Sequence, residues 1–450
     1  MKRSLYIFLP GLIGFAFIVW LSSCTRMSYD DLLFAACFKT NSFSDAFNFL
    51  YHTHAFRWTT FLFEDLVLGI PPARYYPVVI PVFFILFYSL WMFSLHKIIR
   101  KVFDRYYNLC IPKTQSLGLS ALLICVFYFS ASQAVESFTS VIVVTDRLLP
   151  LLFLTIVVNL FLSQKNNWIG LFLCALLIAG TAENITFTTL FILFFYLAFQ
   201  RISGVQKISP KVLFFAIALG LFFACEIFSV GGAARYQVEK TFHFTCGTDG
   251  VYCANSFWEF LKRFFLIRQL FVFVLAFVFF MYAAQLPHGV KDSIKKVLKK
   301  LIVFTFIAII PVSIFHFLSA FNVFDCYGPM RMWFPVNVLM GLLVIFVALR
   351  LGVGFSNKTL ALPLLSGALA GGLIIFYFTM HYSNTCTYVK AYDARINFLT
   401  SGNIKDSLVV LEPLPPSDLV VHGDIMADSK DDVNRDFKNT YCLPFDVKKK

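Results

Sequence analysis

Long apolar runs alternate along this chain with short polar or basic segments. Eleven runs stand out, at residues 5–21, 77–96, 117–132, 148–163, 168–182, 185–199, 211–230, 264–286, 301–320, 334–349 and 360–380. Each approaches the length that a hydrocarbon layer of about 30 Å demands of a helix rising 1.5 Å per residue. In lipid a lone segment satisfies its backbone groups only as a helix, so the pattern predicts about 11 transmembrane helices. The fifth and sixth runs are short and separated by little more than Glu183-Asn184, which predicts either a tight hairpin or a broken helix.

After residue 380 the pattern changes and the chain turns polar. Two short apolar patches, 408–411 and 419–421, flank the turn-rich Glu412-Pro413-Leu414-Pro415-Pro416-Ser417-Asp418. They predict short strands in a small α/β tail. The expected organisation is an all-α polytopic membrane domain over 1–380 and a soluble tail over 381–450. The tail is too short to bury a large core alone, so it is expected to pack on the loops of its own side.

Composition agrees. The chain is 59% hydrophobic, 14% charged, and carries 57 Phe, more apolar surface than a water-soluble domain uses. The net charge of +13 invites a nucleic-acid reading, but its distribution argues otherwise. Lys2, Arg3, Lys97, Arg100, Lys101, Arg105, Lys113, Lys165, Arg201, Lys207, Lys211, Lys291, Lys295, Lys296, Lys299, Lys300, Arg350 and Lys358 fall on one set of alternating loops, with Asp104 and Asp292 as that set's only acids. A positive-inside bias of this kind predicts a cytoplasmic N-terminus and an external C-terminus, with no nucleic-acid partner. In a bacterial inner membrane the loop 24–76 and the tail would then be periplasmic.

Most of the 11 cysteines fall on the external side, where disulfides persist. Cys246 and Cys253 share one loop with Gly247 and Gly250 and are the expected pair. Leu21-Ser22-Ser23-Cys24 has the look of a lipoprotein cleavage box behind a basic start and an apolar core, which would lipidate Cys24 and leave the topology unchanged.

Candidate chemistry gathers on the same side. Asp30 and Asp31 follow the first apolar run, with Asp45, His52, His54, Arg57, Glu64 and Asp65 behind them. A carboxylate pair at an apolar boundary can act as a base or hold a metal. It can equally start a loop helix, where the positive end of the helix dipole favours acids. Glu136, Asp146 and Arg147 lie in the second external loop, and Arg331 starts the tenth run. Arginines at such boundaries often only snorkel. Glu183, and Glu226 in FFACEIFSV, are acids among apolar runs, where charge is costly and tends to be functional. No Walker loop, HExxH or GxSxG motif is present.

Taken together, the pattern resembles the GT-C membrane glycosyltransferases, and more closely a Bacteroidetes-type family of GT-C-like membrane proteins. The residues that carry the resemblance are Tyr29-Asp30-Asp31, Arg57-Trp58, the loop 136–150, Ala182-Glu183-Asn184, Pro329-Met330-Arg331, Tyr392-Asp393-Ala394-Arg395 and Asn439-Thr440-Tyr441. His54-Ala55-Phe56 stands where a Gly usually precedes the Arg. The resemblance implies transfer of a sugar from a polyprenyl-phosphate carrier to a glycan, lipid or protein acceptor at the external face. Asp30 or Asp31 would be the base, Arg57, Arg147 and Arg331 would bind the donor phosphate, and Glu136, Glu183 and His54 would stand nearby. It leaves open whether a divalent cation takes part. The rival expectation is a transporter or flippase of lipid-linked saccharides, which needs charge deep within several spans.

Overall fold

The computed structural model describes residues 5–53, 57–131, 134–202, 209–229, 268–324, 333–355, 361–401, 404–420 and 423–450. Over its described residues, every predicted apolar run coincides with a helix. Among the described residues eight helices are long and apolar enough to cross a membrane: α1 (Leu5–Cys24), α5 (Ala73–Tyr107), α6 (Lys113–Ser130), α8 (Val141–Phe161), α11 (Pro210–Ile227), α13 (Val290–Ile314), α14 (Phe334–Gly354) and α15 (Ala361–Leu399). The shorter apolar helices are α9 (Trp168–Ala179), α10 (Glu183–Ala198) and α12 (Gln269–Ala284). The 12 residues of α9 rise only about 18 Å, well short of the hydrocarbon layer. The chain is a helical membrane protein. The fifth and sixth runs are separate helices joined at Gly180–Ala182.

Helix packing follows from where side chains are missing. A Cβ on Gly11 of α1 would lie 2.6 Å from the carbonyl oxygen of Gly118 on α6, and one on Gly118 would lie 2.7 Å from that of Ile7. Gly367 of α15 abuts the Tyr6 backbone in the same way. Lipid gives helices no hydrophobic reason to associate, so small residues that admit close backbones decide the contacts. Aromatic rings fill the layer beyond. Phe17 meets Tyr128 edge-on at 5.5 Å, Phe129 stacks on Phe271 at 4.6 Å, and Tyr88 stacks on Phe138 at 6.0 Å. Much of the phenylalanine content is therefore helix packing.

One end of the bundle is basic. Lys101 Nζ donates to the carbonyl of Asn159 (3.0 Å), Arg105 to that of Leu162 (3.1 Å), and Lys211 to those of Ser163 and Lys165 (2.8 and 3.0 Å). Cations suit the carbonyl-rich ends of helices. The opposite end carries two surface helices, α2 (Tyr29–Thr40) and α3 (Phe43–Thr53), the short α4 (Trp58–Glu64) and α7 (Ala134–Thr139), and the tail.

The predicted boundary at 380 is not a break. α15 is one helix of 39 residues, about 58 Å long, and its polar half projects beyond the apolar bundle. The first predicted strand forms, as β1 (Leu408–Leu411), but it pairs in parallel with β2 (Asp446–Lys449), with Leu408 opposite Asp446. Leu419 and Val420 of the patch 419–421 are not its partners. Leu419 and Val420 are buried in a bend, while α16 (Asp432–Tyr441) makes the crossover that parallel pairing requires.

The tail docks on the first loop. Arg26 grips Asp393 of α15 through Nε and Nη2, both at 2.7 Å. Thr440 Oγ1 donates to the carbonyl of Leu32 (3.0 Å), and Tyr441 shares a hydroxyl contact with Tyr392 (2.9 Å). Arg395 holds Asp424 at 2.6 Å deep in the tail. Several fragments that carry the family resemblance therefore have a plain structural task here.

Candidate functional site

The site is built at the end of the bundle that bears the tail. Ser28 caps α2: its hydroxyl accepts the amide of Asp31 (3.3 Å), and the Asp31 carboxylate accepts the amide of Ser28 (2.9 Å). This reciprocal box satisfies two orphan amides of the first turn. The other Asp31 oxygen accepts the Ser140 hydroxyl (3.3 Å) and the amide of Ile142 (3.1 Å), where α8 begins. Asp31 is fully buried and ties two helix starts together. Burial pushes its carboxyl up to about 6, against the amides of Ser28 and Ile142, which favour the anion. Asp30, one residue earlier, points the other way around the helix and is exposed. The predicted pair is thus two residues with different situations.

α4 enters next. Its first amides, Thr59 and Thr60, both donate to the carbonyl of Gly180 (2.9 and 3.2 Å), and Trp58 Nε1 reaches the carbonyl of Leu176 (3.2 Å). Gly180 has no room for a side chain, since a Cβ would overlap Trp58 and Thr59. The turn between α9 and α10 is thereby locked against α4, which brings Glu183 to Arg57.

Arg57 is the centre of the arrangement. Its Nη1 donates to Asp146 Oδ2 at 2.7 Å, while Nε and Nη2 fork onto Glu183 at 3.2 and 2.5 Å. Thr60 Oγ1 donates to the remaining Asp146 oxygen (2.8 Å). Arg57 and Asp146 are nearly enclosed, whereas the Glu183 side chain is 35% exposed. Burial works against the Arg57 charge, and Asp146 and Glu183 more than offset it.

Glu64 lies beside them and is completely buried. Thr145 Oγ1 approaches its Oε1 at 3.5 Å, and Oε2 has no hydrogen-bond partner among the described residues. Burial pushes this carboxyl well above the usual range, and Asp146 and Asp31 push the same way, opposed by Arg57 and Thr145. Burial thus favours the protonated form of Glu64 over its carboxylate. It ends α4 where the helix widens into a π segment, Asp65–Gly69, and a second π segment, Val144–Leu148, contains Asp146 and Arg147. Such widened turns are rare and recur at functional sites.

Of the residues singled out in the sequence, the structure joins Arg57 to Glu183 and places Arg147, buried, in the facing π segment. Asp31 is spent on capping. Both edges of the Arg57 guanidinium meet carboxylates, Asp146 on one and the partly exposed Glu183 on the other. Glu226 is buried in α11, close enough to Arg57 to support its charge. His54, Arg331, Cys246 and Cys253 lie outside the described residues, as does the side chain of Glu136. No group of three or more His, Cys, Asp or Glu suited to a metal ion occurs among the described residues.

Sequence reasoning ranked Asp146 and Glu64 too low. A signal existed for Glu64, an acid closing the otherwise apolar and hydroxyl-bearing WTTFLFE. No protein-family model, curated protein or solved structure matches this chain.

Proposed function

We propose that the protein is a membrane glycosyltransferase that takes a sugar from a polyprenyl-phosphate carrier at the external face of a bacterial inner membrane. The observation that supports this most is the contrast within the acidic pair. Asp31 fixes the first turn of α2 from inside, while Asp30 stands exposed in the same turn, at the end of the bundle that holds the Arg57–Asp146–Glu183 cluster. A general base needs to be held yet accessible.

In the reaction, Asp30 takes the proton of an acceptor hydroxyl as that oxygen bonds to the anomeric carbon. The anomeric carbon–oxygen bond to phosphate breaks, and the carrier phosphate leaves with the electron pair. The incoming donor phosphate displaces Glu183, the more exposed of the two Arg57 partners, and takes the guanidinium fork. Neutralising the leaving phosphate is the electrostatic help such a transfer needs. Asp146 keeps Arg57 in place throughout.

The alternative, a transporter of lipid-linked saccharides, draws on Glu226 buried in apolar α11 and on the buried Glu64. Liposomes with the full-length protein, a polyprenyl-phosphate sugar and a labelled acceptor distinguish the two. The expected outcome is a new glycosidic bond, with turnover lowered about 10²- to 10⁴-fold by Asp30→Asn and the fold unchanged. Undiminished transfer by Asp30→Asn removes it as the base. Movement of lipid-linked sugar between leaflets without transfer makes the protein a transporter.

A further inference from the structure

A cavity of about 550 Å³ runs between α5 and α8, with Phe63 at one end and Lys97, Lys101 and Ser163 at the other. Its volume is that of an ordinary ligand site, about 300–1,000 Å³. The walls are apolar, from Phe83, Leu86 and Leu90 of α5 and Leu152, Phe153 and Ile156 of α8. Leu86 and Leu90 are each 58% exposed, so the groove opens sideways, toward the lipid surrounding the bundle. Its charge is all at the basic end and all positive. Lys97 and Lys101 stand one helical turn apart on one face of α5. Lys101 uses one of its three donors on the Asn159 carbonyl, and the Lys97 ammonium lies 4.4 Å over the Phe93 ring. Neither has a carboxylate partner among the described residues.

The geometry points to a bound anionic glycerophospholipid, its phosphate on Lys97 and Lys101 and an acyl chain laid in the groove between α5 and α8. Polarity decides the orientation. The end beside Phe63 and Leu149, next to the acidic cluster, offers the lipid no cation, so the headgroup belongs at the far end. This is the leaflet opposite the proposed transfer site, and the occupant is therefore a lipid other than the sugar donor. Only the exclusion of the sugar donor rests on that proposed site; the phospholipid site itself uses none of its residues. Anionic lipids enrich the cytoplasmic leaflet, where each basic residue near the surface adds about 1 kcal/mol, or about fivefold in affinity.

Native mass spectrometry of the full-length protein, released from micelles holding equal palmitoyl-oleoyl phosphatidylglycerol and phosphatidylcholine, tests it. Phosphatidylglycerol is expected to stay bound preferentially. Lys97→Gln or Lys101→Gln should weaken retention about fivefold each, and the pair together about 25-fold. Leu90→Trp, which fills the apolar groove without touching charge, should lower retention as well. Lys295→Gln with Lys296→Gln, an exposed pair elsewhere, should change nothing. Equal retention of both lipids, indifference to the α5 lysines, indifference to Leu90→Trp, or an equal loss from the α13 control overturns the proposal. So does displacement of phosphatidylglycerol by an equimolar polyprenyl phosphate, which would make the carrier lipid the occupant.

Discussion

Asp31 Oδ1 accepts the backbone amide of Ile142 at 3.1 Å, joining the first turn of α2 to the start of α8 across more than a hundred residues. The same carboxylate closes the Ser28 capping box. A residue that reads as catalytic in the sequence is thus a buried joint, and the neighbour with the same side chain is the one left accessible.

Removing that joint should cost folding before it costs chemistry. Asp31→Ala leaves the amides of Ser28 and Ile142 buried without an acceptor and removes the reciprocal half of the capping box, which together is worth roughly 2–4 kcal/mol. Asp31→Asn is expected to destabilise as well, because its amide group would face one of those donors. Thermal unfolding in detergent checks this, with Asp30→Asn as the comparison that should melt like the wild type.

Acidification should stabilise the protein over a defined window. Burial raises Asp31 to about 6 in the folded state, against about 3.9 in an unfolded chain. Between those values the folded state binds more protons, so stability falls as pH rises through the window and grows as pH drops from 7 toward 4. Asp436 of α16, also raised to about 6 by burial, adds the same sign, and the buried Glu64 acts in the same direction. Melting temperatures between pH 7 and pH 5 should therefore increase on acidification. The slope should flatten in Asp31→Asn; an unchanged slope assigns the effect to the other acids.

Arg57 should tolerate replacement poorly. Arg57→Ala leaves Asp146 enclosed beside Glu64 with no counter-charge, a loss of about 3–5 kcal/mol by the usual cost of breaking a buried pair. Arg57→Lys keeps the charge but cannot fork onto Glu183 while holding Asp146, and should fall between. The double variant Arg57→Ala, Asp146→Asn should recover part of the loss. Strict additivity in that cycle would mean the two residues are not coupled.

The apolar runs alone determined the helical membrane class and where helices form, because in lipid a segment long and apolar enough has one way to satisfy its backbone. The strand at 408–411 was legible from local composition, and the small size of the tail implied packing on loops of its own side. Which acid does what was decided by tertiary structure. Asp30 and Asp31 are chemically identical; burial and the donors Ser28, Ser140 and Ile142 around Asp31 set them apart. Asp146, Glu183 and Arg57 come from three separate segments, joined because Gly180 lets α4 seat against the α9–α10 turn. The parallel pairing of 408–411 with 446–449 likewise depends on a crossover helix that local patterning does not specify. Hydrophobic length is a one-dimensional property and is readable as such. Burial, pairing and the resulting charge state depend on which distant backbones meet.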